Sequence, residues 1–293
     1  MGAANELLQQ LASGTATGCI YALVALGFIL IFKATEVVNF AQGDLMMVGA
    51  FLGLTFVDYM HMPYWLGALL AIVVMAGFGA LLNLVLLRPL AGQGIFAVIM
   101  VTLGLSILLR VGASVIWGPE TVRFDSPFSR KVVHFGSVVL SQEHVAIILT
   151  TVLLVAALFL FFRFSRIGIA MQASSENALA AYYMGIPVKS VHTLTWALGA
   201  AIAAIAGIML APVAFVHVNM GFLGLKAFPA AVLGGFGSIP GAIVGGIIIG
   251  IVESLAVLYL PEGFNNVAAY VLLLLVLMVR PQGLFGVAIR RRV

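Results

Sequence analysis

The run "GCIYALVALGFILIFKATEVVNFAQGDLMMVGAF", residues 18–51, decides the fold class. Its first fifteen residues carry no charge and another apolar stretch ends it, yet Asn39, Gln42 and Asp44 fall together in between. On a water-soluble protein such a cluster marks a surface turn. The flanks argue otherwise. A helix needs roughly 20 apolar residues to cross a bilayer core of about 30 Å, and uncharged runs recur at 7–32, 64–87, 89–109, 144–162, 190–225, 227–252 and 263–279. The polar patch therefore reads as a break between a first span and a short second helix, with Gly43 allowing the bend. Asp44 is expected in the first turn of that helix, where a carboxylate suits the dipole. Asn39 and Gln42 are expected to satisfy backbone groups freed at the break.

Composition agrees. Of the 293 residues, 63% are hydrophobic and 8% charged, whereas soluble domains carry about 25% charged residues. A membrane β-barrel would show alternating segments of about ten residues, and the sequence has none. The expectation is an all-α integral membrane protein, one transmembrane domain over 1–293. Its polytopic bundle has eight or nine spans, near 14–32, 43–57, 64–87, 95–117, 144–163, 192–216, 222–237, 240–260 and 264–280. Segments 43–57 and 222–237 are short for a crossing and read as half-helices or broken ones. The net charge of +4 comes without a basic stripe interleaved with aromatics, so nucleic acid is excluded as a partner and lipid is the medium. Cys19, the single cysteine, reads as a small packing residue. The N-terminus lacks the basic region of a secretory signal and is kept as mature structure; "MGAANE" does not complete a myristoylation motif.

Lys and Arg near span ends set the orientation. Arg280, Arg290, Arg291 and Arg292 place the tail 281–293 in the cytoplasm. Arg163, Arg166 and Lys189 place the loop 164–192 on the same side, and counting through the spans agrees. The segment 118–143 and the N-terminus then lie outside, although 118–143 carries Arg123, Arg130 and Lys131 against Glu120, Asp125 and Glu143.

Within 164–192, Ser174 or Ser175 is expected to cap a short helix over 176–184, with Glu176 at its positive end. Gly185 suits the position just past its C-terminus, with Pro187 beyond. In "GGFGSIPGAIVGGIIIGIVES", 234–254, Gly237, Gly241 and Gly245 are spaced by four, as are Gly246 and Gly250, the spacing that lets helices approach backbone to backbone in lipid. Tight packing and a sliding surface beside a pore are compatible readings of it. Intramembrane ionisable residues are functional candidates by default. Glu253 and Arg110 are expected either to pair with each other or to face water, and Lys226 to snorkel. For Glu253, a structural hydrogen-bonding role outweighs a proton relay. No His has a second His or Cys at metal-ligand spacing, and no catalytic constellation is present. In the outer segment, "KVVHFGSVVLS" alternates as a small hairpin does. Arg123, Arg130 and Lys131 are candidates for docking an acidic partner or for internal pairs.

"ALAAYYMGIP" looks like the cytoplasmic Glu-Ala-Ala loop of ABC importer permeases, with Leu179 in place of Glu, then Ala180, Ala181 and Gly185. "GCIYALVALGFILIF…VVNFAQGDLMMVGAF", "SSENALAAYYMGI" and "GLKAFPAAVLGGFGSIPGAIVGG" together resemble the branched-chain amino acid permease family, LivH-like subunits, over about 14–283. Two departures stand out. Gln172 replaces an Arg ahead of the coupling segment, and Gln42 and Asp44 replace His and Glu. The resemblance implies an inner-membrane importer in which this chain and a second permease, LivM-like or another copy, sit above two ATPase subunits that bind ATP and Mg, with a periplasmic substrate-binding protein. It also implies an ATPase-coupling loop that includes Glu176, Ala180, Ala181, Gly185 and Ile186. Asn39, Gln42, Asp44 and Glu253 are the candidates for lining the translocation path. The chain has no G-x-x-x-x-G-K-[ST] motif, so no enzyme chemistry of its own is expected. The alternative is a self-contained channel or secondary transporter, which also uses broken helices but has no need of an Ala-Ala-x3-Gly helix. A structural scaffold would not need the polar patch.

Overall fold

The computed structural model describes residues 3–90, 92–128, 132–135, 138–261 and 263–286. The chain forms α1 (Ala3–Thr35), α2 (Gln42–Leu54), α3 (Tyr64–Leu82), α4 (Ile95–Trp117), strands β1 (Val132–Phe135) and β2 (Val138–Ser141), and α5 (Gln142–Phe164). It continues as α6 (Arg166–Glu176), α7 (Ala178–Tyr183), α8 (Val188–Ala214), α9 (Gly221–Leu225), α10 (Ala227–Gly234), α11 (Ile239–Tyr259) and α12 (Phe264–Val279). Wider π-type turns extend α2 through Tyr59 and α3 through Leu87. Among the described residues, six helices are long and apolar enough to cross a membrane: α1, α3, α4, α5, α8 and α11. The remaining apolar pieces are α2, the α9–α10 pair and α12.

The first span is longer than the sequence suggested. The polar residues before it continue the helix because they have a partner: the Gln9 amide bonds both backbone groups of Val139 in β2. That contact ties the start of α1 to the hairpin, whose strands pair antiparallel from Val132↔Ser141 to Phe135↔Val138.

The helices are arranged as an inverted repeat. α1, α2, α3 and α4 correspond to α8, α9–α10, α11 and α12. α1 packs on α11 as α8 packs on α3, and α2 lies along α8 as α10 lies along α1. α4 flanks α2 as α12 flanks α10, and α1 meets α8 as α2 meets α9. Aligned contacts give the directions. Gly18 meets Ile247 and Gly79 meets Trp196 in antiparallel pairs, whereas Gly49 meets Ala204 and Gly53 meets Ile208 in a parallel one. Such repeats place broken helices at the centre of many transporters.

Glycines make these approaches possible. Gly246 and Gly250 face α1 at Ala22, Gly14 and Gly18, while Gly241 and Gly245 face Gly234 and Ala230 of α10. The four-residue stripe thus serves two neighbours. Gly237 departs from the expectation: it lies in the turn before α11, and no described residue comes within 4 Å of where its side chain would begin. Gly250→Val would drive a side chain into the Gly18 backbone. Overpacking costs about 1–3 kcal/mol where side chains can yield, and backbone yields less. We expect Gly250→Val to lose the monodisperse, cooperatively melting species in detergent while Gly237→Ala melts as the parent does.

Candidate functional site

The polar patch forms the start of α2. Asn39 Oδ1 accepts the Ala41 N–H at 3.1 Å, and its Nδ2 donates to Gln42 Oε1 at 3.2 Å. Gln42 Nε2 donates to the Gly199 carbonyl at 3.1 Å. Gly199 lies eleven residues into α8, about 17 Å along it at 1.5 Å per residue. α2 therefore begins deep inside the bundle rather than at its surface. Gly43 has a role other than the expected bend. Its backbone is not left-handed; it permits contact with the Gly221 carbonyl and Gly224 Cα of α9. The N-termini of α2 and α9 thus meet at mid-depth, and a side chain on Gly221 would strike the Asp44 carboxylate.

Two ion pairs flank this meeting point. Asp44 Oδ1 accepts from Arg110 Nη2 at 3.0 Å and Nε at 3.3 Å, and the Ser106 hydroxyl donates to Oδ2 at 2.5 Å. The Arg110 guanidinium also lies 3.9 Å from the centre of the Phe222 ring, a cation–π contact. On the other side, Lys226 Nζ meets Glu253 Oε1 at 2.6 Å while the Tyr21 hydroxyl donates to Oε2 at 2.5 Å. Arg110 and Glu253 are therefore not each other's partners. Lys226 does not snorkel either, because it sits in the break between α9 and α10 and turns to Glu253. Asp44 and Glu253 side chains are only 3% and 11% exposed. Buried carboxylates need such partners, and here both oxygens of each are occupied.

At the opposite pole of α8, α6 and α7 join α5 to it. The expected cap at Ser174 or Ser175 is displaced. α6 is capped by Ser165, whose Oγ accepts the Gly168 N–H at 3.4 Å, and it runs on through Glu176. Asn177 caps α7 instead, its Oδ1 accepting the Ala180 N–H at 2.9 Å. Glu176 thus ends one helix rather than starting the next. The C-terminal end is as expected. Gly185 has φ +85°, its N–H bonds the Tyr182 carbonyl, and the Ile186 N–H bonds the Ala181 carbonyl. This is the paired closure that favours glycine. Ala181 is buried, whereas Leu179, Tyr182, Tyr183 and Met184 are exposed.

At the hairpin end, Val122 pairs with Val216 as an isolated antiparallel bridge. Arg123 pairs with Asp125 at 3.1 Å, both exposed, an arrangement worth about 0–1 kcal/mol. Arg130 and Lys131 lie outside the described residues. Sequence reasoning missed Tyr21, Ser106 and Phe222 as partners of the buried charges.

The family model described as "Branched-chain amino acid transport system / permease component" matches residues 10–279. The chain is 35% identical over 294 residues to the high-affinity branched-chain amino acid transport system permease protein LivH of Escherichia coli (strain K12), covering 95% of each chain. It is 34% identical to the permease protein BraD of Pseudomonas aeruginosa, again with 95% of each covered. A solved structure, PsaBC from Streptococcus pneumoniae in complex with Fab, shares the fold at a TM-score of 0.51 and 15% identity, over 94% of this chain and 92% of that one. The inverted bundle, its central break and the match along nearly its whole length lead to one conclusion: this multi-pass membrane protein belongs to the branched-chain amino acid transport permease family.

Proposed function

We propose that the chain is the permease subunit of an ATP-driven importer for branched-chain amino acids, in a bacterial inner membrane with its C-terminus cytoplasmic. The observation that carries this reading is α7. It is six residues long, too short to be stable alone when isolated helices below about 12 residues are marginal. It is nevertheless closed at both ends and presents Tyr182, Tyr183 and Met184, 66–84% exposed. Exposed aromatics on a rigid, pre-organised element are the anchors of protein interfaces. A channel or secondary carrier gives no reason to build one.

In this reading Ala180, Ala181, Gly185 and Ile186 hold the docking knob, and Glu176 sets the corner before it. Two ATPase subunits bind ATP and Mg2+ below it. A second permease completes the path and a periplasmic binding protein delivers substrate at the hairpin end, where Arg123 stands. Asn39, Gln42, Asp44 and Glu253 are the fixed frame beside which the path runs, because their polar atoms are committed to each other, to α1, α4 and α8, and to Lys226 between α9 and α10.

The test is affinity purification of the tagged chain from the membranes of its native host. Co-purification of an ATPase, lost in Tyr182→Ala/Tyr183→Ala, is expected. An ATPase retained by that variant would refute α7 as the contact, and none with the parent chain would refute the importer reading.

A further inference from the structure

A groove of about 370 Å3 runs between α3 and α8 at the α7 end of the bundle. The two helices are antiparallel: Gly79 lies against Trp196, and beneath the groove the Thr193 hydroxyl donates to Asn83 Oδ1 at 2.9 Å. Ala80, Leu84 and Arg88 line it from α3 and its extension, and Lys189, Ser190, Thr193, Leu194 and Ala197 from α8. Residues three and four apart share a helix face, so the groove has a polarity. Arg88, Lys189 and Ser190 stand at one end, while Ala80, Leu84, Leu194 and Ala197 form the apolar remainder. From Lys189 to Ala197 the wall extends about 12 Å at 1.5 Å per residue.

Neither cation has an acid to meet. No Asp or Glu is among the described residues lining this groove or the cavity behind it, which Arg88 and Lys189 also line. No ion pair joins either of them to a described residue. A single Lys or Arg at a span end lays its stem along the helix and reaches for the interface. Here two cations from different helices converge on one spot, and α8 adds a third positive element. It begins after Pro187 with no side-chain cap, so the positive end of its dipole lies beside Lys189 and Ser190. Leu84 and its neighbours Leu81 and Val85 are exposed, as surface turned to lipid is. Cations and a hydroxyl at one end of an apolar groove match an anionic head on a hydrocarbon tail, and basic pockets between membrane helices take such headgroups. An acidic segment of a partner protein would meet the cations from water but leave the apolar end uncovered.

We propose that the α3–α8 groove binds one anionic glycerophospholipid from the surrounding leaflet. Arg88 and Lys189 hold the headgroup phosphate at the first turn of α8, where the Ser190 hydroxyl donates to it, and an acyl chain lies over Ala80, Leu84, Leu194 and Ala197. The bound lipid braces the end of α3 against the start of α8, next to α7. The site is independent of the importer reading and of the solute carried.

The test is native mass spectrometry of the full chain, delipidated in detergent together with the subunits that co-purify, and titrated with dioleoylphosphatidylglycerol or dioleoylphosphatidylcholine. Phosphatidylglycerol is expected to be retained about tenfold more tightly than phosphatidylcholine, with the preference shrinking as salt is added. Arg88→Gln/Lys189→Gln should melt as the parent does, since both side chains are exposed, and should bring phosphatidylglycerol down to the phosphatidylcholine level. Arg88→Lys/Lys189→Arg keeps the charge and should keep the preference. Ala197→Phe fills the apolar end without touching a charge and should weaken both lipids about tenfold. Equal retention of the two lipids by the parent, or undiminished phosphatidylglycerol on the Gln variant, would overturn the proposal. Displacement of phosphatidylglycerol by millimolar inorganic phosphate, with Ala197→Phe binding as the parent does, would mark a free-anion site instead. A Gln variant that keeps the lipid but loses its co-purifying subunits would mark a protein contact.

Discussion

Gly185→Val is expected to cut leucine uptake at least tenfold while ATP hydrolysis by the partner subunits continues, because α7 would no longer present its aromatics in one place. The backbone at Gly185 has φ +85°, and no described residue lies within 4 Å of where a side chain would begin. Space is therefore not the obstacle. A left-handed backbone costs an L-residue roughly 1–2 kcal/mol, and a β-branched residue there is a genuine outlier. The closure from Ile186 to Ala181 and from Gly185 to Tyr182 would open before the strain is accepted, unwinding a helix with only six residues. Gly185→Asn is the control, since Asn tolerates the left-handed region, and it should keep most of the uptake. The chain's melting temperature should barely move in either variant. Equal losses in Val and Asn variants would show that something other than backbone conformation matters there.

The second large effect belongs to Asp44. Asp44→Asn or Arg110→Gln alone leaves a buried charge without its counterpart, a change that typically costs about 3–5 kcal/mol. Removing both charges should restore much of the loss, because a pair exchanged for neutral groups pays no such penalty. Thermal melts of the two single variants and the double variant in detergent form the cycle. Small, additive losses from the singles would mean that Arg110 is solvated and Asp44 is held by Ser106 alone.

How far the sequence foretold this structure depends on the range of the interaction. Long apolar runs mark α3, α4, α5, α8 and α11 because span length follows from bilayer thickness. The "VVNFAQGD" break was legible for the same reason: lipid leaves no other use for that polarity. Local chemistry was nearly as clear at Gly185, where C-terminal closure depends on neighbours within a few residues. It misled at "SSEN", where Ser, Ser and Asn are all competent caps. The choice of Asn177 is made by α6, which starts at Ser165 and carries helix through Glu176. Ion pairing was not legible, because Asp44 and Arg110 lie 66 residues apart and only the packing of α2 beside α4 joins them. The repeat was foreshadowed by little more than Val38-Asn39 and Val218-Asn219, since the two halves share packing geometry rather than residues. Gly43 shows the same limit: its small size was evident, but its neighbour Gly221 was not.

The proposed function requires that ATP drive an amino acid through this permease. The direct measurement is leucine accumulation in proteoliposomes containing the chain, its permease partner and ATPase subunits, with the binding protein outside and ATP inside. Accumulation above the external concentration that requires ATP and is lost in Gly185→Val is the predicted result. Leucine that merely equilibrates, at the same rate with or without ATP, would contradict it.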